Sequence, residues 1–248
     1  MTKTNRTPRF ADLPGEIPIF PLEGALLLPG GQLPLNIFEP RYLAMIDDAL
    51  SGSRLIGMVQ PRPESPVKDD RAGDDKAGDD RAGEGPGQGD ATPSTIFDIG
   101  CAGRITSMDE TDDGRYLITL TGLCRFRVGA EIEGRAGYRR VRPDWSDFAG
   151  DFETGHFETG ETKCIDRARL SRVLHPYFDQ HGISANWQAI EDTGDERLIT
   201  SLSMICPLEV SEKQALLEVG TMAERGAMLI SLLEMAVMSG DEDEVARH

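Results

Sequence analysis

The chain has 248 residues, with 43 acidic against 26 basic side chains, a formal charge of −17 and an isoelectric point near 4.6. That length allows one or two modest domains, and a hydrophobic content of 39% is enough for a buried core. So negative a surface repels phosphate backbones and anionic lipid as a whole, which excludes a histone-like role.

Lys3, Arg6 and Arg9 are not followed by the apolar run of about 7–15 residues that a secretory signal needs, so a cytoplasmic protein is expected, with residues 1–14 as a flexible terminus. Ile17–Leu22 and Ala25–Leu28 read as short strands, Pro29-Gly30-Gly31 as a turn and Leu33–Phe38 as a third strand. Pro40 stands where a first helical residue would, and Leu43, Ile46 and Leu50 follow helical spacing up to a stop near Gly52. Leu55–Val59 is a further strand.

Residues 61–95 break this pattern. They hold three copies of an Asp-Asp-basic-Ala-Gly pentapeptide, starting at Asp69, Asp74 and Asp79, and Glu64 to Asp90 carries nine acidic and four basic residues. A segment with so little apolar surface cannot offset the entropy of ordering, so it is expected to be a disordered, solvated insertion. Beyond it, Ile96–Met108 reads as a strand broken at Gly100 and Gly103, Asp112-Asp113-Gly114 as a hairpin turn and Arg115–Thr121 as the returning strand. Cys124, Phe126 and Val128 then alternate with Arg125 and Arg127, the pattern of a strand with one apolar face and one exposed, charged face. Tyr138–Trp145 is another candidate strand.

From Lys163 the period changes from two to about 3.6. Ile165, Leu170, Val173, Leu174, Tyr177 and Phe178 predict a helix stopped at Gly182, and Glu196–Cys206 predicts one stopped by Pro207. Ser211…Gln214 and Thr221…Glu224 look like capping boxes of two more helices, the second packed through Leu229, Leu232, Leu233, Ala236 and Val237. The chain therefore reads as α+β: a β-rich part over 15–145 containing the insertion 61–95, a connector over 146–162, a helical bundle over 163–239 and a frayed acidic tail over 240–248. No stretch reads as a membrane span. Gly24–Phe38 is broken by prolines and glycines, and the Met-rich carboxy-terminal stretch contains Glu234.

Catalytic chemistry is hard to find. A phosphate-cradling loop needs Gly-Lys before Ser or Thr, and none of the five lysines follows a glycine. Gly85, Gly87 and Gly89 have no strand before them, so no dinucleotide cofactor is expected. Asp109-x-Thr111-x-Asp113-Gly114 opens like a calcium loop, but its twelfth position is Leu120 rather than a bidentate Glu, and the hairpin reading is preferred. His156, His175, His181 and His248 show no metal-ligand spacing, and Cys101, Cys124, Cys164 and Cys206 are too far apart for a zinc knuckle, so they read as buried thiols. No enzyme, metal or cofactor is expected. One feature opposes the average charge: Arg125, Arg127, Arg135, Arg139, Arg140 and Arg142 face only Glu131 and Glu133 between residues 123 and 142. Either these arginines pair with surrounding carboxylates, or Arg125, Arg127, Arg139, Arg140 and Arg142 form a face for an anionic partner.

Pro18-Ile-Phe-Pro21-Leu22, Leu28-Pro29-Gly30, Pro34-Leu-x-Ile-Phe38-Glu39-Pro-Arg41-Tyr42, Gly100-x-x-Gly-Arg104-Ile105, Asp113-Gly114-Arg-Tyr116 and Leu120-x-Gly122-x-x-Arg125-Phe126 closely resemble the amino-terminal, substrate-binding domain of the ATP-dependent Lon proteases. Asn186-Trp187 and Glu212-Lys213-x-x-Leu216-Leu217 extend the resemblance to about residue 235. It implies a PUA-like β-barrel followed by a helical bundle, with the motif positions mainly structural. It also implies a stand-alone, non-catalytic module without the ATPase and protease parts, which binds unfolded or exposed polypeptide segments or a protease partner. A nucleic-acid or nucleotide-binding PUA-like module using the Arg125–Arg142 face is the alternative, although the charge of −17 makes nucleic acid the weaker partner.

Overall fold

The computed structural model describes residues 10–63, 95–133, 136–153 and 165–245, so the pentapeptide repeats and the disorder expected of them lie outside the described residues. Six strands form one mixed sheet: β1 (Ile17–Pro21), β2 (Gln32–Ile37), β3 (Leu55–Val59), β4 (Ile99–Glu110), β5 (Tyr116–Ile132) and β6 (Arg139–Asp144). The order is β2-β5-β4-β3-β1-β6, and an extra β5–β6 pairing closes it into a ring, with β2 left outside on the first half of β5. Only β1 and β3 run parallel. Closure depends on the length of β5, whose 17 residues pair with β2 and β4 at one end and with β6 at the other. Register shifts at Ala102/Gly103, Ile105/Ser107 and Val128/Glu131 bend the long strands enough to meet.

The ring is filled by Ile17, Ile19, Val59, Ala102, Phe126 and Val141. Phe126 fits because two neighbours lack side chains: a Cβ on Gly57 would lie 2.7 Å from its Cζ, and one on Gly100 would lie 2.9 Å from it. Helix α1 (Pro40–Ser51) lies outside the ring and buries Tyr42, Met45, Ile46 and Ala49. Its Pro40 occupies the first turn, where a missing N–H costs nothing.

After β6 come a 3₁₀ turn at Ser146–Phe148 and α2 (Gly150–Glu153), then α3 (Arg167–Gln180), α4 (Trp187–Asp192), α5 (Asp195–Ile205), α6 (Val210–Glu218) and α7 (Met222–Val245). The helices do not form a separate core. A single apolar cluster runs from Phe20, Tyr42, Met58 and Cys101 on the outside of the ring through Leu170, Tyr177, Leu202, Leu217 and Leu233 in the helices.

Several boundaries differ from the sequence reading. Ala25–Leu28 is not a strand. It is a loop whose Leu26, Leu27 and Leu28 are fully buried and whose backbone is held by Gly30 N–H to Gly122 O at 2.9 Å and Gly122 N–H to Gly31 O at 2.8 Å. An apolar run of that length is compatible with a strand or a buried loop, and the prolines and glycines around it decide for the loop. Gly100 and Gly103 do not interrupt β4, and Arg115–Thr121 and Cys124–Val128 are one continuous β5. The α6 capping box is Glu209 with Glu212, because the helix begins at Val210 and its N-cap lies two residues before Ser211. Thr221 and Glu224 do cap α7, which continues through the acidic stretch expected to fray. In the stretch read as a flexible terminus, Phe10–Asp12 is a 3₁₀ turn, and the Phe10 ring meets Phe152 edge-on at 5.8 Å.

Gly122 tests the loop-on-sheet contact. A Cβ there would lie 2.0 Å from the Leu28 carbonyl oxygen, which is backbone in a fully buried loop. Gly122→Ala should lower stability by about 1–3 kcal/mol in urea unfolding; an unchanged midpoint would mean that the loop can withdraw from the sheet freely.

Candidate functional site

The alternation through Cys124, Arg125 and Phe126 places Phe126 inside the ring and Arg125 on its outer side. That outer side is covered by helices. Arg125 is therefore 7% exposed rather than solvent-facing, and it does not belong to a surface arginine set. Its guanidinium forks onto Asp151 of α2, with Nε to Oδ2 at 3.0 Å and Nη2 to Oδ1 at 2.8 Å. Nη1 donates to the carbonyls of Leu217 at 3.2 Å and Val219 at 2.7 Å, at the end of α6, and the ring of Phe148 lies 5.0 Å from the guanidinium carbon. Burial is the largest influence and opposes the charge, but the hydrogen bond and negative charge of Asp151, with the nearby Cys101 and Cys124, together outweigh it and the pKa of Arg125 is raised.

A second buried arginine, Arg225 of α7, donates to Leu216 O at 2.8 Å and to the same Val219 O at 3.4 Å. Burial and then the charge of Arg125 push its pKa down to about 10, which leaves it charged at neutral pH. The two cations complete the carbonyls that a helix terminus leaves unpaired, at its negative end. The rest of α6 is tied to the sheet side by buried polar groups. Lys213 Nζ donates to Gly24 O at 2.6 Å, Gln214 Nε2 to Ile99 O at 3.1 Å, and Gln60 Nε2 to Val210 O at 3.3 Å.

The other arginines stay at the surface beside carboxylates: Arg127 with Asp147 at 3.1 Å, Arg139 with Glu131, and Arg140 and Arg142 with Glu16 at 3.0 and 3.7 Å. Arg135 lies outside the described residues. The remaining motif positions are spread over the β half. Leu22 donates its N–H to Val59 O at 3.1 Å, Pro29 and Gly30 turn the buried loop with φ +76° at Gly30, and Gly114 turns the β4–β5 hairpin with φ +79°. Arg104 is half-buried on β4 opposite Leu55 and Thr121. Pro21 ends β1. Glu39 is the N-cap of α1 but its side chain makes no cap bond and instead pairs with Arg41 at 2.8 Å, while Tyr42 is buried with its ring 4.3 Å from Phe20.

Phe38 differs from all of these. It is 64% exposed. In the β2–β5 register Ile37 faces Tyr116 and Asn36 faces Leu117, so Phe38 projects on the same outer face as Leu117, itself 45% exposed. Two large exposed apolar side chains, one just past the end of β2 and one on β5, thus lie on the same side of the sheet near its β2 edge. The hairpin with Asp109, Thr111 and Asp113 is closed by Thr111 Oγ1 donating to Asp113 at 2.5 Å. Bonds from Arg115 and Thr111 hold the Asp113 carboxyl down at about 2. Among the described residues no group of three or more potential metal-ligating side chains comes together, and no helix is long and apolar enough to cross a membrane.

The arrangement defines an α+β module whose sheet and helices share one core. The family model for the ATP-dependent protease La (LON) substrate-binding domain matches residues 16–235, and the chain belongs to that family. Lon protease 2 of Myxococcus xanthus is 26% identical over 222 residues, covering 90% of this chain and 24% of that protein. The Lon protease of Anaeromyxobacter dehalogenans is 24% identical over 225 residues, covering 90% and 23%. The chain thus spans about a quarter of the length of these curated relatives, and the likeness is to a substrate-binding domain, not to ATPase or protease modules. In fold it is similar to a crystal structure of a Lon N-terminal domain protein from Xanthomonas campestris, with a TM-score of 0.52, 18% identity, and coverage of 87% of this chain and 97% of that one.

Two measurements follow from the junction. Asp151→Asn keeps the shape but leaves two buried guanidinium groups without a counter-charge, so it should cost about 3–5 kcal/mol in urea unfolding. A loss below about 1 kcal/mol would show that the α6 carbonyls alone hold Arg125. The thiols provide the second measurement: burial pushes Cys101 well up, and Cys124 and Cys206 to about 12. The folded state keeps these protons where an unfolded thiol releases them near 9, so their contribution is complete below pH 9 and stability falls as pH rises from 9 toward 12. In a Cys164→Ser background at pH 7.5, a thiol reagent should label none of the three rapidly without denaturant; fast labelling of any one would contradict its burial.

Proposed function

We propose that this chain is a non-catalytic polypeptide-binding module that takes exposed or unfolded segments, acting in the cytoplasm as an adaptor beside a protease or as a holding surface. The observation that carries the proposal is the exposure of Phe38, just past the end of β2, and of Leu117, on β5, on the same side of the sheet. Exposed apolar side chains grouped on a rigid sheet, in a protein with an otherwise charged surface, mark a surface for a partner. The family supports a substrate-binding role, and its motif residues Glu39, Pro40, Arg41 and Tyr42 follow Phe38 directly and hold it at the strand-to-helix corner.

The contact is through side chains rather than strand addition. β2 has a free edge, but Pro34 in its middle has no N–H, so a strand laid along it would meet a gap in its hydrogen-bond ladder. A nucleic-acid role draws no support from the arginines, since Arg125 is internal and Arg127, Arg139, Arg140 and Arg142 sit beside carboxylates.

The test is a double variant, Phe38→Asp with Leu117→Asp, assayed for binding to a reduced, carboxymethylated and therefore permanently unfolded protein. Binding should fall at least tenfold. Because both side chains are exposed, stability should change by no more than about 0.5 kcal/mol per site. Undiminished binding by the folded variant would remove this face from the function.

A further inference from the structure

A cleft of about 460 Å³ opens between α3, α4 and α5 in the helical half, on other elements than the Phe38–Leu117 face. Its floor is apolar and buried, made by Leu170, Leu174 and Leu198, and Ile190 and Trp187 form its wall. The wall belongs to α4, a six-residue helix with no fully buried side chain of its own, whose Trp187 and Ile190 are partly buried against the core and whose ends are fixed by further contacts. Arg167 holds one end. Its Nε donates to Asp195 at 2.5 Å, its Nη1 to Ile190 O at 3.1 Å, and its Nη2 to Thr193 O. The Trp187 ring holds the other end, stacked on His175 with centroids 3.7 Å apart and tilted against Phe178 at 5.7 Å. The cleft is therefore built in advance, which reduces the ordering cost of an occupant.

The charges around it have a sign. Arg167 is neutralised by Asp195 and spends its donors on backbone carbonyls. Arg169 pairs with Glu234 of α7 at 2.5 Å, which turns it away from the cleft. Glu191 on the rim is exposed and has no hydrogen bond or ion pair among the described residues. An apolar slot with one free carboxylate at its lip is complementary to an apolar side chain with a cation beside it.

We infer that this cleft is a second polypeptide-docking site, which seats one large apolar side chain of an extended segment while an adjacent lysine or arginine of that segment pairs with Glu191. The inference rests on the polypeptide-binding reading above and adds to it a contact point and a sequence preference. The volume suits a phenylalanine or leucine side chain with part of its backbone, seated on the apolar floor.

The chain has two tryptophans, so Trp145→Phe leaves Trp187 as the reporter inside the cleft. The probes are tryptophan-free heptapeptides on a glycine-serine background: one phenylalanine flanked by lysines, the same peptide flanked by glutamates, and a lysine-flanked alanine. In the full-length chain, the lysine-flanked phenylalanine peptide should shift Trp187 emission saturably and bind at least tenfold more tightly than either control. Glu191→Lys should abolish the preference for lysine over glutamate flanks. Ser171→Trp, checked for an unchanged melting curve and followed by peptide anisotropy, should block binding by filling the slot. Equal binding of the lysine- and glutamate-flanked peptides, no saturable shift, or undiminished binding by both cleft variants would overturn the inference. Continued capture of the unfolded protein in any of those cases would leave the broader reading standing, whereas loss of that capture in the Phe38 and Leu117 variant alone would separate the two sites.

Discussion

The buried guanidinium of Arg125 is the constraint around which this molecule is arranged. A charge taken out of water is tolerated only when each of its donors is met, and here the partners come from three places in the chain. Asp151 arrives from the segment after the sheet, Leu217 and Val219 from the end of α6, and Phe148 from the turn between. None is near Arg125 in sequence, so the hydrogen bonds can form together only if the helical half is already seated on the outside of the ring. Arg225 tightens the requirement by spending its own donors on Leu216 and on the same Val219 carbonyl. A hydrophobic contact would tolerate sliding of α6 over the sheet. A fork onto one carboxylate and two carbonyls fixes both rotation and register.

Much of the architecture was legible because the elements that form it obey short-range rules. The run Ile17–Pro21, the Pro40 start of α1, the Gly114 turn and the Gly182 stop of α3, with φ +62°, are local decisions made by adjacent residues. What was hidden depends on what lies across from a residue rather than beside it. The Cys124–Val128 alternation correctly marks two faces, yet alternation has no way of distinguishing a face that meets water from one that meets a helix bundle. Arg125 was read as exposed for that reason, and Arg127, two positions on, is exposed and beside Asp147. Asp151 gave no signal either, since it stands in a connector rich in glycine and acidic residues where one aspartate looks like any other. The α3–α5 cleft was equally hidden: its lining comes from residues 167 to 198 in three helices, and the Asn186-Trp187 pair is its one trace in sequence.

The glycines of the sheet show the same dependence on distant partners. Gly57 and Gly100 leave the space that Phe126 fills, and Gly103 and Gly122 let the 25–31 loop lie flat on the strands, with a Cβ on Gly103 meeting Leu27 Cδ2 at 2.6 Å. These positions do not need glycine for its backbone freedom. They need it because another atom already occupies the place of a side chain, which is why glycines inside β4 that look like strand breaks leave the strand unbroken.

A rigid junction also decides what kind of binding the molecule can perform. The Phe38–Leu117 face belongs to the sheet and the Trp187 cleft to the helices, and the two halves are joined by one continuous apolar cluster and a buried ion pair rather than a hinge. If the two proposed contact points act as argued above, they keep a constant separation on such a body, and one polypeptide engages both only when it is long enough to span them. Each point alone offers little area, and individual encounters are correspondingly weak. On the proposed reading, an unfolded chain presents many apolar side chains in succession, so occupying one point would raise the effective concentration at the other, and the pair would favour long unstructured segments over folded proteins that expose an isolated apolar residue. Selectivity of that kind arises from fixed geometry, and the buried Arg125 fork is what keeps the geometry fixed.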